Sequence, residues 1–320
     1  GVLPRTARRI AVLDRTREPG AVADPLCLDV ATALTRAPDR DGVRVVAGRY
    51  GLSSKEFDPP CVRAVFDELD RERPRDTFTV GIEDDVTGRS LALGRDRARE
   101  PADRSTALFY GLGSDGTVSA NKNSIKIIGE STDNEVQGFF VYDSKKAGAM
   151  TVSHLRFGSR PIRSSYLIRS ADFVGCHQFQ FLDRFEIAEA LRPAGVLLLN
   201  SPYGRDTWER LPREVQEVLI ERRAHLWVVD AYAIARDVGL GGRTNTIMQT
   251  CYVRRAGILP RARAIAAIRQ AIESSYGKLG RDLVERNFAA VAAALPVLHQ
   301  VALPTAATAQ TPRPPAVPDE

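Results

Sequence analysis

The stretch Ala107-Leu108-Phe109-Tyr110-Gly111-Leu112-Gly113-Ser114-Asp115-Gly116, continued by the run from Thr117 to Gly129, decides how this chain reads. Apolar residues 107–110 predict a strand, a glycine-rich turn follows, and 117–129 has the spacing of a helix. Gly111, Gly113 and Gly116 stand at the GxGxxG spacing. Glycines there permit a tight turn and close backbone approach, so amides at the helix start can hold a pyrophosphate. The spacing alone is a weak signal, and its place between a strand and a helix strengthens it.

A second strand over 138–142 ends at Asp143, where a dinucleotide site places a ribose-binding acid. Lys145 and Lys146 follow at once. They belong to a local cluster, because the chain has 39 arginines and 6 lysines, and Lys122, Lys126, Lys145 and Lys146 fall within one short window. Ammonium groups at that strand end favour a ligand with an extra phosphate on its adenosine, either the 2′-phosphate of NADP or the 3′-phosphate of coenzyme A. A solvated helix face with a charged turn is the plain alternative.

A second glycine-rich turn, Gly239-Leu240-Gly241-Gly242-Arg243, precedes a helix starting near Thr244 and Asn245. It reads either as a helix-capping loop with Thr244 as N-cap, or as an anion site where Arg243 and helix-start amides converge.

Around these turns, residues 10–14, 43–46 and 78–82 predict strands and 26–36 and 61–69 helices, an α/β alternation. The charged stretch 89–104, with Arg95-Asp96-Arg97, lacks apolar periodicity and marks a boundary. Beyond it, strands are expected at 152–157, 165–169, 172–176, 196–200 and 226–230, and helices at 181–191 and 212–223. The unbroken apolar run Val196 to Leu199 suits a strand buried on both faces. Val284, Phe288, Val291, Leu295 and Leu298 repeat at steps of four and three, one face of a packed helix. The proline-rich segment 304–320 reads as a linker.

At 320 residues, 43% hydrophobic and 27% charged, the chain supports about two domains and excludes a disordered class. Basic residues alternate with acids, as in Arg71-Glu72-Arg73, which argues against a nucleic-acid surface. No apolar run is long enough for a membrane span, and no CxxC pair occurs among Cys27, Cys61, Cys176 and Cys251. A reducing cytoplasmic setting with free thiols is expected. His154, His177, His225 and His299 have no metal-ligand spacing, and Glu83, Asp84 and Asp85 read as a solvated turn.

Longer runs carry a resemblance. Residues 10–20, 48–57 and 78–87, then Tyr110 to Glu130, Tyr142-Asp143-Ser144-Lys145-Lys146, 152–158 and Gly239 to Thr250 together resemble pyruvate:ferredoxin (flavodoxin) oxidoreductase, of the 2-oxoacid:ferredoxin oxidoreductase superfamily. The resemblance implies a central portion with two α/β domains. Residues 1–87 would be the later part of a transketolase C-terminal-like domain, 88–104 a linker, 105–303 a Rossmann-like gamma domain with a helical C-terminal part, and 304–320 a Pro-rich linker tail. Departures occur in the first of these: Ala23-Asp24-Pro25-Leu26-Cys27 stands where the family usually has Gly-Glu-Pro-Leu-Tyr.

The implied reaction converts pyruvate and coenzyme A to acetyl-CoA, carbon dioxide and reduced ferredoxin or flavodoxin. Thiamine diphosphate, magnesium and iron-sulfur clusters would sit in other domains, since no Gly-Asp-Gly motif or closely spaced cysteines occur here. This portion alone would be inactive, with no catalytic residue and no metal ligand of its own. Its implied share is coenzyme A contact through Ser114, Asp115, Gly116, Lys145, Lys146, Arg243 and Asn245. Its partners would be the remaining domains of the same enzyme, a second copy in a homodimer, and ferredoxin or flavodoxin. A scaffold segment without a ligand and an NADP-binding reductase domain are the alternatives.

Overall fold

A computed structural model describes residues 3–38, 40, 42–51, 55–83, 86–94, 100–142, 149–257 and 259–314. Asp84, Asp85, Arg95-Asp96-Arg97 and Asp143 with Lys145 and Lys146, all named above, lie outside the described residues. The chain forms two compact units, Gly1–Arg99 with Ser165–Leu167, and Glu100–Ser164 with Ile168–Glu320.

In the first unit, β1 (Arg9–Asp14), β2 (Arg44–Tyr50) and β3 (Thr77–Val80) make a parallel sheet in that order, linked through α1 (Pro25–Thr35) and α2 (Pro59–Asp70). Neighbouring residues of a strand face opposite ways, so Val46 and Ala47 serve different cores. Val46 packs with Phe78, Val80 and the α2 residues Cys61 and Val65, whereas Ala47 packs with Val12 and Cys27 of α1. Both helices start on proline, whose fixed φ suits the first turn. The Asp58 carboxylate caps α2 by accepting from Cys61 N at 3.3 Å. Asp24 makes no cap bond to α1 but pairs with Arg49 at 2.8 Å.

The second unit is built on a seven-stranded sheet. Its elements in chain order are β4 (Arg104–Leu112), α3 (Thr117–Ser131), β5 (Glu135–Tyr142), β6 (Met150–Gly158), β7 (Ala171–Cys176), β8 (Leu191–Asn200), α4 (Arg213–Glu221), β9 (His225–Val229), α5 (Ala231–Asp237), α6 (Asn245–Ala256), α7 (Arg261–Tyr276), α8 (Arg281–Val297) and β10 (His299–Val301). The strand order is β10-β9-β8-β7-β4-β6-β5. Strands β9, β8, β7 and β4 are parallel, while β10 and β6 run against their neighbours.

Alternate residues of β8 supply both faces, as its apolar run predicts. Leu198 joins α3 and α5 to α8 on one side, and Leu197 and Leu199 join α4, Trp208 and Leu182 on the other. Tyr252 packs edge-on against both Phe109 and Phe173 across the first face, its ring centroid 4.8 Å from each.

Several expectations are corrected. Residues 165–169 form no strand. The helix expected over 181–191 is instead two short 3-10 turns, Phe179–Asp183 and Ala188–Ala190. Phe181, Leu182, Ile187, Ala188, Ala190 and Leu191 are all buried, and at 100° per residue a single helix would spread them around most of its axis. Antiparallel β6 separates β4 from β5, so β4-α3-β5 is not the adjacent βαβ pair of a dinucleotide fold.

The segment 88–104 is packed at both ends. Leu91 is buried in the first unit's core, and Glu100 is buried in the second unit on Arg156 at 2.8 Å and Arg104 at 3.2 Å. The described part of the tail is not a free spacer either. Thr308 N and Ala309 N donate to Gln216 Oε1, Trp208 Nε1 donates to Thr308 Oγ1, and Arg313 pairs with Glu189 at 3.0 Å. Its prolines exclude helix but leave the extended backbone these bonds need.

Candidate functional site

The glycine loop joins β4 to α3, and each glycine has a different reason. A Cβ at Gly111 would collide with Thr117 Oγ1. Gly113 N donates to Ala149 O at 3.0 Å, which holds the turn against the start of β6. Gly116 has φ +81°, the left-handed region that glycine adopts without strain. A Cβ there would also stand 2.9 Å from Asn245 Cγ, so the loop and the start of α6 meet at this residue.

Asp115 organises the loop from within. Its carboxylate accepts from Leu112 N and from Thr117 N, each at 2.8 Å, and the residue is buried. It therefore takes one helix-start amide that the sequence reading leaves for a phosphate. Thr117 Oγ1 bonds His177 Nδ1 at 2.9 Å, and His177 N donates to Tyr110 O. Burial pushes His177 down to about 4, opposed by the Asp115 carboxylate, so the ring is neutral at pH 7. Asn200 then ties His177 O to Ala231 N, linking the ends of β7 and β8 to the start of α5.

Of the predicted site residues, Ser114 and Arg243 are exposed, Asn245 is buried against Gly116, and Asp115 is turned inward. Lys145 and Lys146 lie outside the described residues, but their flanks are placed. Tyr142 pairs with Thr151 across β5 and β6, and Ala149 accepts from Gly113. Thr244 makes no side-chain cap bond, and its buried Oγ1 has no partner among the described residues, which removes the plain capping reading of that turn.

Beside the loop, α3, α6 and α7 enclose a groove of about 400 Å³ lined by Ser119, Lys122, Asn245, Gln249, Ser275 and Tyr276 among others. Gln249 Nε2 donates to Ala120 O and Ser124 Oγ, each at 3.0 Å, and so clamps α6 to α3. Lys122 Nζ lies 5.4 Å from the Phe140 ring centroid, whereas Lys126 pairs with Glu130 and does not line the groove. Sequence reading misses Gln249 and His177. Each has a polar neighbour in sequence, Gln178 after His177 and Thr250 after Gln249, so nothing in the local pattern marks it out or names its partner.

The four cysteines occupy four different core clusters: Cys27 and Cys61 in the two cores of the first unit, Cys176 and Cys251 in the two of the second. That separation does not fit an iron-sulfur cluster on this chain's thiols. No helix among the described residues is long and apolar enough to cross a membrane.

Residues 106–296 match the family Pyruvate ferredoxin/flavodoxin oxidoreductase, and the chain belongs to it. Within that family it is similar to the probable pyruvate-flavodoxin oxidoreductase of Escherichia coli, 54% identical over 322 residues, covering 99% of this chain and 27% of the relative. The pyruvate-flavodoxin oxidoreductase of Nostoc is 52% identical over 314 residues, 94% of this chain and 26% of that protein. The pyruvate:ferredoxin oxidoreductase of Moorella thermoacetica is 47% identical over 304 residues, with 95% and 26% covered. The chain thus spans about a quarter of the length of these relatives. Among solved structures, a pyruvate oxidoreductase subunit from Thermotoga maritima aligns at TM-score 0.48 and 22% identity, over 62% of this chain and 98% of that one.

Proposed function

We propose that this chain contributes the coenzyme A phosphate cradle and an inter-domain scaffold to an oxidoreductase that converts pyruvate and coenzyme A to acetyl-CoA, carbon dioxide and reduced ferredoxin or flavodoxin. The observation that carries the reading is the meeting of Gly116 with Asn245, which brings two glycine-rich turns to one place. Ser114 and Arg243 stand exposed on those turns, and the flanks of the segment with Lys145 and Lys146 adjoin Gly113.

In this reading Asp115 shapes the loop, because its carboxylate is engaged by the loop's own amides. Ser114, the Gly116 backbone and Asn245 receive the phosphates, with Arg243, Lys145 and Lys146 as cations. Holding the nucleotide end fixed lets the pantetheine arm deliver its thiol to chemistry elsewhere in the enzyme. Thiamine diphosphate, magnesium and iron-sulfur clusters belong to other domains of the enzyme, which would work in the cytoplasm as a homodimer with ferredoxin or flavodoxin as acceptor. The insertion of β6 between β4 and β5 disfavours the NADP alternative. It moves the ribose-side strand one position, ~5 Å, further from the loop than an adjacent pair would stand.

Calorimetry of the chain with coenzyme A, dephospho-coenzyme A, NADP and NAD tests the reading. Coenzyme A should bind tightest, more weakly as salt rises. Lys145→Ala with Lys146→Ala should weaken it by roughly ten- to a hundredfold. Tighter binding of NADP would support the reductase reading, and no binding of any nucleotide at low salt would leave the scaffold role alone.

A further inference from the structure

A cavity lies at the other end of α6 from the glycine loop. Its volume is about 600 Å³, within the range of small-molecule sites. Arg254 and Arg255 enter it from the last turn of α6, Arg269 from α7, Trp227 from β9, and Phe288 and Leu295 from α8. Asn245 and Arg254 are nine residues apart on one helix, ~14 Å along its axis, so this cavity is distinct from the loop site.

Its chemistry is one-sided. No aspartate or glutamate is among the described lining residues, although three guanidinium groups are. Arg255 stacks on the Trp227 ring at 3.8 Å from the centroid, and Arg269 lies 4.7 Å from that of Phe288. Stacking uses the face of a guanidinium and leaves its N–H edge for a second partner. Two buried donors here, Arg255 Nε and Trp227 Nε1, have no hydrogen-bond partner among the described residues.

A buried donor without an acceptor is costly, which gives an incoming anion something to relieve. Burial and the neighbouring Arg254 charge also hold Arg255 below the ordinary guanidinium value. The negative end of the α6 dipole accounts for cations in its last turn. It does not account for a third arginine from another helix, nor for the apolar floor.

We propose that this cavity binds a small organic anion, a carboxylate or phosphate carried on a flat apolar body. The anionic group meets the N–H edges of Arg255 and Arg269, and the body lies on the aliphatic wall near Leu295. Rings already stacked on the guanidiniums fix those edges in advance, so little side-chain freedom is lost on binding.

The test uses the full chain and the indole N–H resonances of its two tryptophans, assigned with Trp227→Phe. The probes are 2-naphthoate and its uncharged analogue 2-naphthamide. Naphthoate should shift the Trp227 signal saturably and leave Trp208, bonded to Thr308, unmoved. The amide should bind about tenfold more weakly or worse, and Arg255→Gln with Arg269→Gln should weaken naphthoate by at least about tenfold. Arg254→Gln, at an exposed position, should weaken it several-fold and supplies the answer if the double variant folds poorly. Absence of a saturable shift up to millimolar naphthoate, equal affinity for the amide, or a folded double variant that binds like the parent would each overturn the proposal.

Discussion

The two units solve the same problem, covering a parallel sheet, with unequal means. Among the described residues, the first has three strands, one helix on each face, and two small cores, and its α2 still presents Phe66 to solvent at 62% exposure. The second has seven strands, with helices α3 and α5 to α8 on one face and α4, short turns and the tail on the other. Sheet width decides how much apolar surface can be buried on two faces at once, so the wide sheet offsets its buried polar groups with more apolar burial than the narrow one, where Asp24, Asp58 and Glu68 are also buried.

The sharpest way to break this contrast is at Arg156, which is 1% exposed and bonds Glu100 and Gln137 in the second unit. Arg156→Ala removes the closer of two cations from the buried Glu100 carboxylate, leaving Arg104 at 3.2 Å, and should lower the unfolding free energy of that unit by about 3 kcal/mol in urea titrations. Adding Glu100→Gln should restore part of the loss. A loss below about 1 kcal/mol would mean that the wide sheet does not depend on this pair.

Hydrogen exchange addresses the contrast directly. Amides of β1 to β3 should exchange about a hundredfold faster than those of β7 and β8, equivalent to about 3 kcal/mol in opening free energy. Equal protection would show that three strands suffice.

Acid separates the units in a third way, because all four histidines lie in the second. Burial pushes His154 and His177 down to about 4, and His154 Nδ1 accepts from Ile168 N, which requires it to be unprotonated. Above the ordinary histidine value of 6.5 both rings are neutral whether or not the chain is folded. As pH falls from 6.5 towards 4 the unfolded chain takes up protons that the fold refuses, so stability is lost over that window. Near pH 5 the loss should be about 2 kcal/mol per ring, measured as urea midpoints of the second unit. His154→Gln should remove its share, and a flat profile would contradict the burial of both rings.

The smallest effect is expected on the exposed face of α3. Lys126→Ala breaks an ion pair with Glu130 in which both side chains are about two-thirds exposed, and should change stability by less than ~0.5 kcal/mol. It should leave coenzyme A binding unchanged, in contrast to Lys145→Ala with Lys146→Ala.

Local pattern made β4, the glycine turn, α3 and β8 legible, because each is set by its own alternation or by a helical repeat. What local pattern does not contain is partner choice. The hairpin that slides β6 between β4 and β5 follows from pairings such as Leu112 with Met150, whose residues show no preference for one neighbour over another. The 181–191 stretch misleads for a related reason, since its apolar content fits a helix while its burial on all sides does not. In the site, the glycines mark the turn, yet only the three-dimensional path shows Asp115 turning to its own amides and Asn245 lying under Gly116. The tail deceives by composition, because proline excludes regular structure without excluding attachment.

The separation of the four cysteines among four cores makes the chain its own chemical reporter. Burial pushes the Cys176 and Cys251 thiols up to about 12, which leaves almost no thiolate to attack a reagent while the fold is closed. Each sulfur becomes reactive only when the layer around it opens, and no two share a layer. A maleimide pulse followed by peptide mass mapping therefore reads out, in one tube, which face of which sheet breathes first.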